Sequence, residues 1–199
     1  LPDDGPAFLL ALSDAMRAKP DPAAVVATAA RMLANRLDAL RVVFSEVDGA
    51  LSAWCADDGG TGTGTGGLSA SADPIMQDLR SGRIVQAVMD DNAAPARPDL
   101  AALFRQGARA LLAVPVRVQG RLVAHLTVLG HDPCPWPDPQ IRLVQEVAGR
   151  LWADIMRART DAALRDSEQK FRTLFDSIDE GFCVLDIIDD PRGGPPDYR

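Results

Sequence analysis

The stretch ALLAVPVRVQGRLVAHLTVLG, residues 110–130, decides how the rest of the chain can fold. It contains two apolar runs rich in β-branched residues, Leu111–Val118 and Arg121–Leu129, separated by Gln119 and Gly120. A glycine at that point supplies the positive φ that a tight hairpin turn requires. The stretch therefore predicts two antiparallel strands at the centre of a sheet that is covered on both faces.

The second of these runs predicts two different sheet faces, because successive side chains of a strand point to opposite sides. One face would carry the apolar residues Leu122, Ala124, Leu126 and Val128. The other would carry Val123, His125, Thr127 and Leu129. We expect helices over the first face. The mixed second face fits a ligand cavity, and it also fits a core with polar tips.

Composition narrows the class of protein. The chain has 199 residues, 47% of them hydrophobic, and a net charge of −7 with a pI of about 4.8. Nucleic-acid binding depends on Lys and Arg neutralising phosphates, so we expect no nucleic-acid partner. The negative charge also argues against an anionic membrane surface. No apolar run approaches the roughly 18 residues of a membrane-spanning helix, and no signal peptide is recognisable. We expect a soluble, cytoplasmic domain.

The cysteines predict neither a disulfide framework nor a metal site. Cys55, Cys134 and Cys183 lie far apart without any CxxC spacing. His125 and His131 have no second ligand at helical spacing, so we expect no metal. No Ser-His-Asp or Cys-His arrangement can be assembled, and we expect no catalytic residue. A redox enzyme that uses Cys55 or Cys134 is the least favoured of the functions considered.

Secondary structure follows from periodicity and capping residues. Asp-Pro occurs at three helix starts, where the carboxylate caps free amides and proline fits the first turn. The predicted helices are Ala7–Ala18, Asp21–Leu37, Asp73–Arg80, Asp99–Gln106 and Asp138 to about Phe175. Besides the two runs above, the predicted strands are Arg41–Val47, Leu51–Ala56, Ile84–Met89 and Gly181–Ile188.

A glycine-rich segment, Gly62–Gly67, formally matches the GxGxxG pattern of dinucleotide-binding loops. Such a loop belongs at the end of a strand inside a parallel βαβ unit. Here the preceding strands read as a hairpin, and alternating Thr and Gly is typical of a loose surface loop. We favour the loop and keep phosphate binding as the alternative.

The last long helix carries an apolar seam that suggests a partner. Its apolar residues recur at intervals of 3 and 4, a heptad pattern: Ile141, Val144, Ala148, Leu151, Ile155, Ala158 and Ala162. Farther on, Leu164, Phe171, Leu174 and Ile178 continue a shifted seam. Core packing could account for Ile141–Leu151, but a folded sheet should have ended by Ile155. We therefore expect a parallel homodimer through this helix.

The order of elements resembles a GAF domain. The segments that carry the resemblance are GARALLAVPVRVQGRLVAHLTVLG (107–130) and PWPDPQIRLVQEVAGRLW (135–152). The segment ALRDSEQKFRTLFDSIDEGFCVLD (163–186) looks like the linker helix and first strand of a PAS domain. That junction is typical of bacterial sensor proteins, especially sensor histidine kinases. We expect a GAF-like domain over 1–158, a linker helix over 159–178 and the truncated start of a PAS-like domain over 179–199.

The resemblance implies an α+β fold, an α/β/α sandwich around an antiparallel sheet of about six strands. The first two helices and the last would lie on one face, with short helices and loops over a pocket on the other. It also implies the pocket residues, which are His125, Thr127, Val123 and Leu129, joined by Trp54 and by Phe44 or Val43.

The cofactor and the ligand stay open. Residues 92–108 contain no cysteine for a bilin thioether, so covalent bilin attachment is not expected. No NKFDE-type run is present, so cyclic-nucleotide binding is not supported. We expect a non-catalytic sensory module that binds an unidentified small molecule or relays a signal to a histidine kinase. The alternative is a structural dimerisation and spacer domain.

Overall fold

The computed structural model describes residues 4–48, 51–56, 61–63, 74–89, 107–176, 187–188 and 197–198. Its helices are α1 (Gly5–Arg17), α2 (Pro22–Leu37), α3 (Pro74–Arg80) and α4 (Asp138–Asp176). Its strands are β1 (Ala39–Glu46), β2 (Ser52–Ala56), β3 (Thr61–Thr63), β4 (Val85–Val88), β5 (Ala110–Val118), β6 (Arg121–Gly130), β7 (Ile187–Ile188) and β8 (Asp197–Tyr198). The chain divides into two units, Leu1–Ala162 and Ala163–Arg199.

The first unit is built on a six-stranded antiparallel sheet with the strand order β3-β2-β1-β6-β5-β4. The predicted hairpin is confirmed: β5 pairs with β6 around Gln119 and Gly120, whose φ angles are 50° and 79°. Two successive positive φ angles define the turn that matches the twist of paired strands. The sheet thereby places β6 between β1 and β5, near the middle of the fold.

Helices α1, α2 and α4 pack on one face of the sheet, and α3 packs on the other. The Asp21 carboxylate accepts a hydrogen bond from the Ala24 amide at 3.0 Å and so caps α2 as the Asp-Pro signal predicts. The predicted α+β sandwich with three helices on one face is therefore confirmed. The second predicted short helix, Asp99–Gln106, lies outside the described residues.

A β-bulge in β6 corrects the predicted position of Val123. Val116 pairs with Ala124 but Arg117 pairs with Leu122, so Val123 is the extra residue in this strand. Its carbonyl accepts a hydrogen bond from the Val47 amide at 3.0 Å. Because the bulge interrupts the alternation, Leu122 joins the cluster beneath α3, whereas Val123 packs against the core on the opposite, helix-covered face.

The structure also corrects the seam expected to form a dimer. Five of its members are buried in the domain's own core with at most 1% of their surface exposed: Val144, Ala148, Leu151, Ile155 and Ala158. Ile141 is partly buried against the same core, and Ala162 is exposed. The core follows α4 for two turns more than the sequence pattern suggests. These residues are consequently not available to a second chain.

The glycine-rich segment contains a strand where a loop is predicted. Thr61–Thr63 forms the edge strand β3, and Gly62 pairs with Trp54 of β2 in antiparallel register. Gly62 thus lies outside the parallel βαβ setting that dinucleotide binding requires. In the second unit, the predicted strand Gly181–Ile188 is described only at β7, which pairs with β8. None of the helices in the described ranges is long and apolar enough to cross a membrane.

Candidate functional site

Four hydroxyl and imidazole side chains form a polar row on the sheet face opposite α1, α2 and α4. The polar row consists of Ser52, Ser45, His125 and Thr127. Ser45 of β1 lies directly opposite Ser52 of β2 on one side and His125 of β6 on the other. Three of the four are buried, with Ser45 7% exposed and His125 and Thr127 2% exposed, whereas Ser52 is partly buried.

Hydrogen bonds connect the polar row in pairs. The Ser45 and Ser52 hydroxyl oxygens lie 2.9 Å apart, and His125 Nδ1 lies 3.3 Å from Thr127 Oγ1. Buried polar groups are costly unless they are hydrogen-bonded, and these contacts meet part of that requirement. The backbone alternation of β1 and β6 places all of these groups on one side of the sheet, since Phe44 and Leu126 point to the other side.

Burial fixes the charge state of His125. Desolvation lowers the pKa of His125 from 6.5 to about 4, because an imidazolium ion loses its hydration inside the protein. The ring is therefore neutral at physiological pH, with one nitrogen that donates a hydrogen bond and one that accepts. Because Nδ1 lies against the Thr127 hydroxyl, Nε2 is the ring nitrogen that can exchange a hydrogen bond with a further uncharged polar group.

The structure brings together some of the predicted pocket residues. Leu129 is 2% exposed and belongs to the cluster beneath α3, next to Thr127 on the same face. Val43 lies opposite Thr127 and is 1% exposed. The backbone of Trp54 pairs with Val43, while its side chain lies outside the described atoms.

Phe44 and Val123 do not belong to this group. Phe44 lies opposite Leu126 and is fully buried in the core beneath the helices, so its prediction as a pocket residue is wrong. Of the two predicted alternatives, Val43 is the one that the strand register places on the same sheet face as Thr127. The prediction of Val123 as a pocket residue is also wrong, because the bulge places it on the helix-covered face.

The sequence interpretation missed Ser45 and Ser52. Both serines lie in the hairpin formed by β1 and β2, and the alternation that starts from buried Val42 and Phe44 would have placed Ser45 on the opposite face. The signal was a lone hydroxyl at the end of an apolar run. It becomes informative only once the pairing with His125 is known.

Two cavities in the described structure lie away from the polar row. One of about 560 Å³ lies between the first half of α1 and the first three turns of α4 and includes Leu9, Leu10 and Leu143. The other, about 240 Å³, lies beside the end of β6 and includes Trp136 and Cys134.

Cys134 is exposed, and the side chain of Cys55 lies outside the described atoms, so a redox role stays a prediction. In the described ranges, no three His, Cys, Asp or Glu residues cluster in a way that could hold a metal ion.

Comparisons with known proteins agree with the fold. The family model of the GAF domain matches residues 21–155. The GAF domain of a phosphoenolpyruvate-protein phosphotransferase from Coxiella burnetii superposes with a TM-score of 0.60 at 16% identity, covering 80% of this chain and 97% of that one. A bacteriophytochrome from R. palustris gives a TM-score of 0.65 at 11% identity, covering 92% and 44%.

An enzyme has the same fold. The free methionine-R-sulfoxide reductase from Neisseria meningitidis, solved with its substrate, gives a TM-score of 0.56 at 17% identity and covers 80% of this chain and 95% of its own. At these identities the likeness shows the fold alone. No curated protein sequence matches the chain significantly.

Proposed function

The chain belongs to the GAF domain family, and we propose that it is a non-catalytic sensory module whose polar row binds a small, uncharged polar molecule. The observation that carries this proposal is the neutral imidazole of His125, buried beside Thr127 on the sheet face that α1, α2 and α4 leave uncovered. With Nδ1 directed at Thr127, the proposal assigns the ligand contact to Nε2. Leu129 and Val43 supply the apolar wall.

The free-energy cost of burying polar groups supports the proposal. A sheet face that serves only as core is most stable when its residues are apolar, because each buried polar group must first lose its hydration. The cluster beneath α3 follows that rule with Leu111, Ala113 and Leu129. The polar row departs from it at adjacent positions of three neighbouring strands. Groups of this kind orient ligands in cavities that are otherwise apolar.

We propose further that the module acts as a parallel dimer and relays its state through α4. Beyond Ala162 the helix exposes large apolar side chains: Leu164 is 59% exposed, and Phe171 and Leu174 are each 61% exposed. Spacings of seven and three residues fit a two-helix seam. The output would be a histidine kinase in the same polypeptide, reached through the PAS-like segment.

A screen of common metabolites by thermal shift tests the ligand proposal. A compound that binds the folded state raises the melting temperature of the wild-type chain according to its concentration and Kd. We expect the shift to be lost in T127V, which removes the hydroxyl next to His125. The control H131Q removes an exposed imidazole and should keep the shift. A stabilising compound that acts equally on T127V would contradict the proposed site.

The structural spacer is the second candidate, and one observation favours it. The polar row is hydrogen-bonded within itself, and neither described cavity includes its residues. In that case no metabolite would stabilise the chain, and association through the exposed part of α4 would persist unchanged.

A further inference from the structure

A buried ion pair joins the end of β1 to helix α4. The Glu46 side chain is 2% exposed, and the guanidinium atom Nη2 of Arg159 lies 2.9 Å from its Oε1. The same Nη2 donates a hydrogen bond to Oε2 at 3.0 Å. Within the described part of the chain, Oε1 accepts no hydrogen bond. Among the described residues, Arg159 is thus the one side-chain partner of this carboxylate.

The pair lies where α4 leaves the core. Ala158, the residue before Arg159, is fully buried. After it, none of the described side chains of α4 is buried, and from Ala162 to Phe175 all are exposed. Arg159 itself is 35% exposed. The ion pair therefore fixes the last turn of the helix that the domain covers.

Glu46 is also adjacent to the polar row. It follows Ser45 directly in β1, so one peptide bond joins the two residues and their side chains point to opposite faces of the sheet. Ser45 lies opposite His125, and Glu46 lies opposite Ala124, the residue next to the bulge at Val123. A shift of the β1 end that moves Ser45 relative to His125 must carry the Glu46 carboxylate with it.

We propose that the Glu46–Arg159 pair is the junction through which the state of the polar row reaches the exposed end of α4. The inference rests on the proposed function in one respect, that the polar row is where a ligand acts. Replacing a buried ion pair with apolar residues of similar volume is often neutral for stability, whereas removing one partner leaves a buried charge. In this proposal the value of the pair is therefore positional, because it holds the end of β1 at one position on α4. Arg159 is already in contact with water, so it is the member that can leave Glu46 at the lower cost.

Amide hydrogen exchange in the full chain tests the junction without any ligand. The probe is S45A, which removes one hydroxyl from the polar row. We expect S45A to change exchange at residues 160–170 about threefold, as expected for a small shift in local opening. In an E46L/R159M background, where an apolar pair replaces the ion pair, we expect S45A to leave exchange at those residues unchanged.

The control background is R157Q. Arg157 is also 35% exposed, but its partners Asp154 and Asp161 are on α4 itself, each at 3.1 Å. In R157Q, S45A should change amide exchange at residues 160–170 as it does in the wild type. An S45A effect of equal size in E46L/R159M, or no effect in the wild type, would overturn the proposal. If E46L/R159M does not fold, E46Q/R159M, which also removes both charges but keeps the shape of the Glu46 side chain, replaces it. A smaller S45A effect in that background supports the junction, and a full-sized effect overturns it. The result does not depend on whether the metabolite screen finds a ligand.

Discussion

His125 makes the stability of this domain depend on pH. Its pKa is about 4 in the folded chain and 6.5 as the ordinary value. Between these two pH values the unfolded chain binds a proton that the folded chain does not, so the free energy of unfolding falls as the pH is lowered. The contribution of neutral His125 to the free energy of unfolding is fully present above pH 6.5, and about 3 kcal/mol of it is lost by pH 4.

We predict that H125Q removes this component. The free energy of unfolding, measured by urea denaturation from pH 7 to pH 4, should fall less steeply in H125Q than in the wild type, because glutamine takes up no proton. The control H131Q should retain the His125 contribution. Equal slopes for H125Q and the wild type would show that the buried imidazole is protonated in the folded chain.

At the scale of the element, α4 has a buried part and an exposed part with different roles. Leu151 is fully buried against the sheet core, whereas Leu164 and Phe171 are exposed. The first part therefore contributes to the stability of the domain, and the second is the part through which we propose contact with another helix.

We predict that L151A lowers the free energy of unfolding by about 2–5 kcal/mol, the usual cost of emptying a leucine site in a core. Light scattering of the folded L151A protein should give the same mass as the wild type. L164S/F171S should do the reverse: unchanged stability of the sheet domain and a lower mass at tens of micromolar. A wild-type chain that is monomeric at that concentration would contradict the dimer proposal.

Gly149 offers a smaller test of the same helix. It lies on the exposed side of α4, and a Cβ added there would have no neighbour within 4 Å. Because glycine is less favourable than alanine in a helix interior, G149A should raise the free energy of unfolding by about 0.5–1 kcal/mol. A loss of stability or of association in G149A would indicate that another helix approaches closely at this position.

The sequence predicts the elements of this fold better than their relative registers. The 110–130 hairpin and the Asp21 cap follow from local signals, and the three helices on one face follow from the resemblance to a GAF domain. Val123 was misplaced because a bulge depends on the pairing of two strands. Phe44 was misplaced because its face depends on register against β6. The depth of the core along α4 depends on all layers at once, and so the buried seam through Ala158 looked like a surface for a partner.

At the scale of the whole molecule, the proposals describe three successive steps of one signal. A ligand can shift the domain between two arrangements only if it binds one of them more tightly. The polar row would supply that difference, the Glu46–Arg159 pair would carry it across the sheet, and the exposed part of α4 would present it to a second copy. Each link has its own test, so one can fail without the others.

The most direct test of the central claim is an NMR measurement of the two imidazole rings, His125 and His131, in the presence of compounds that stabilise the chain. Each ring nitrogen reports its own protonation and hydrogen bonding. We predict that a stabilising compound changes the signals of His125 and leaves those of His131 unchanged. If stabilising compounds bind and the His125 signals do not move, the polar row is not the ligand site.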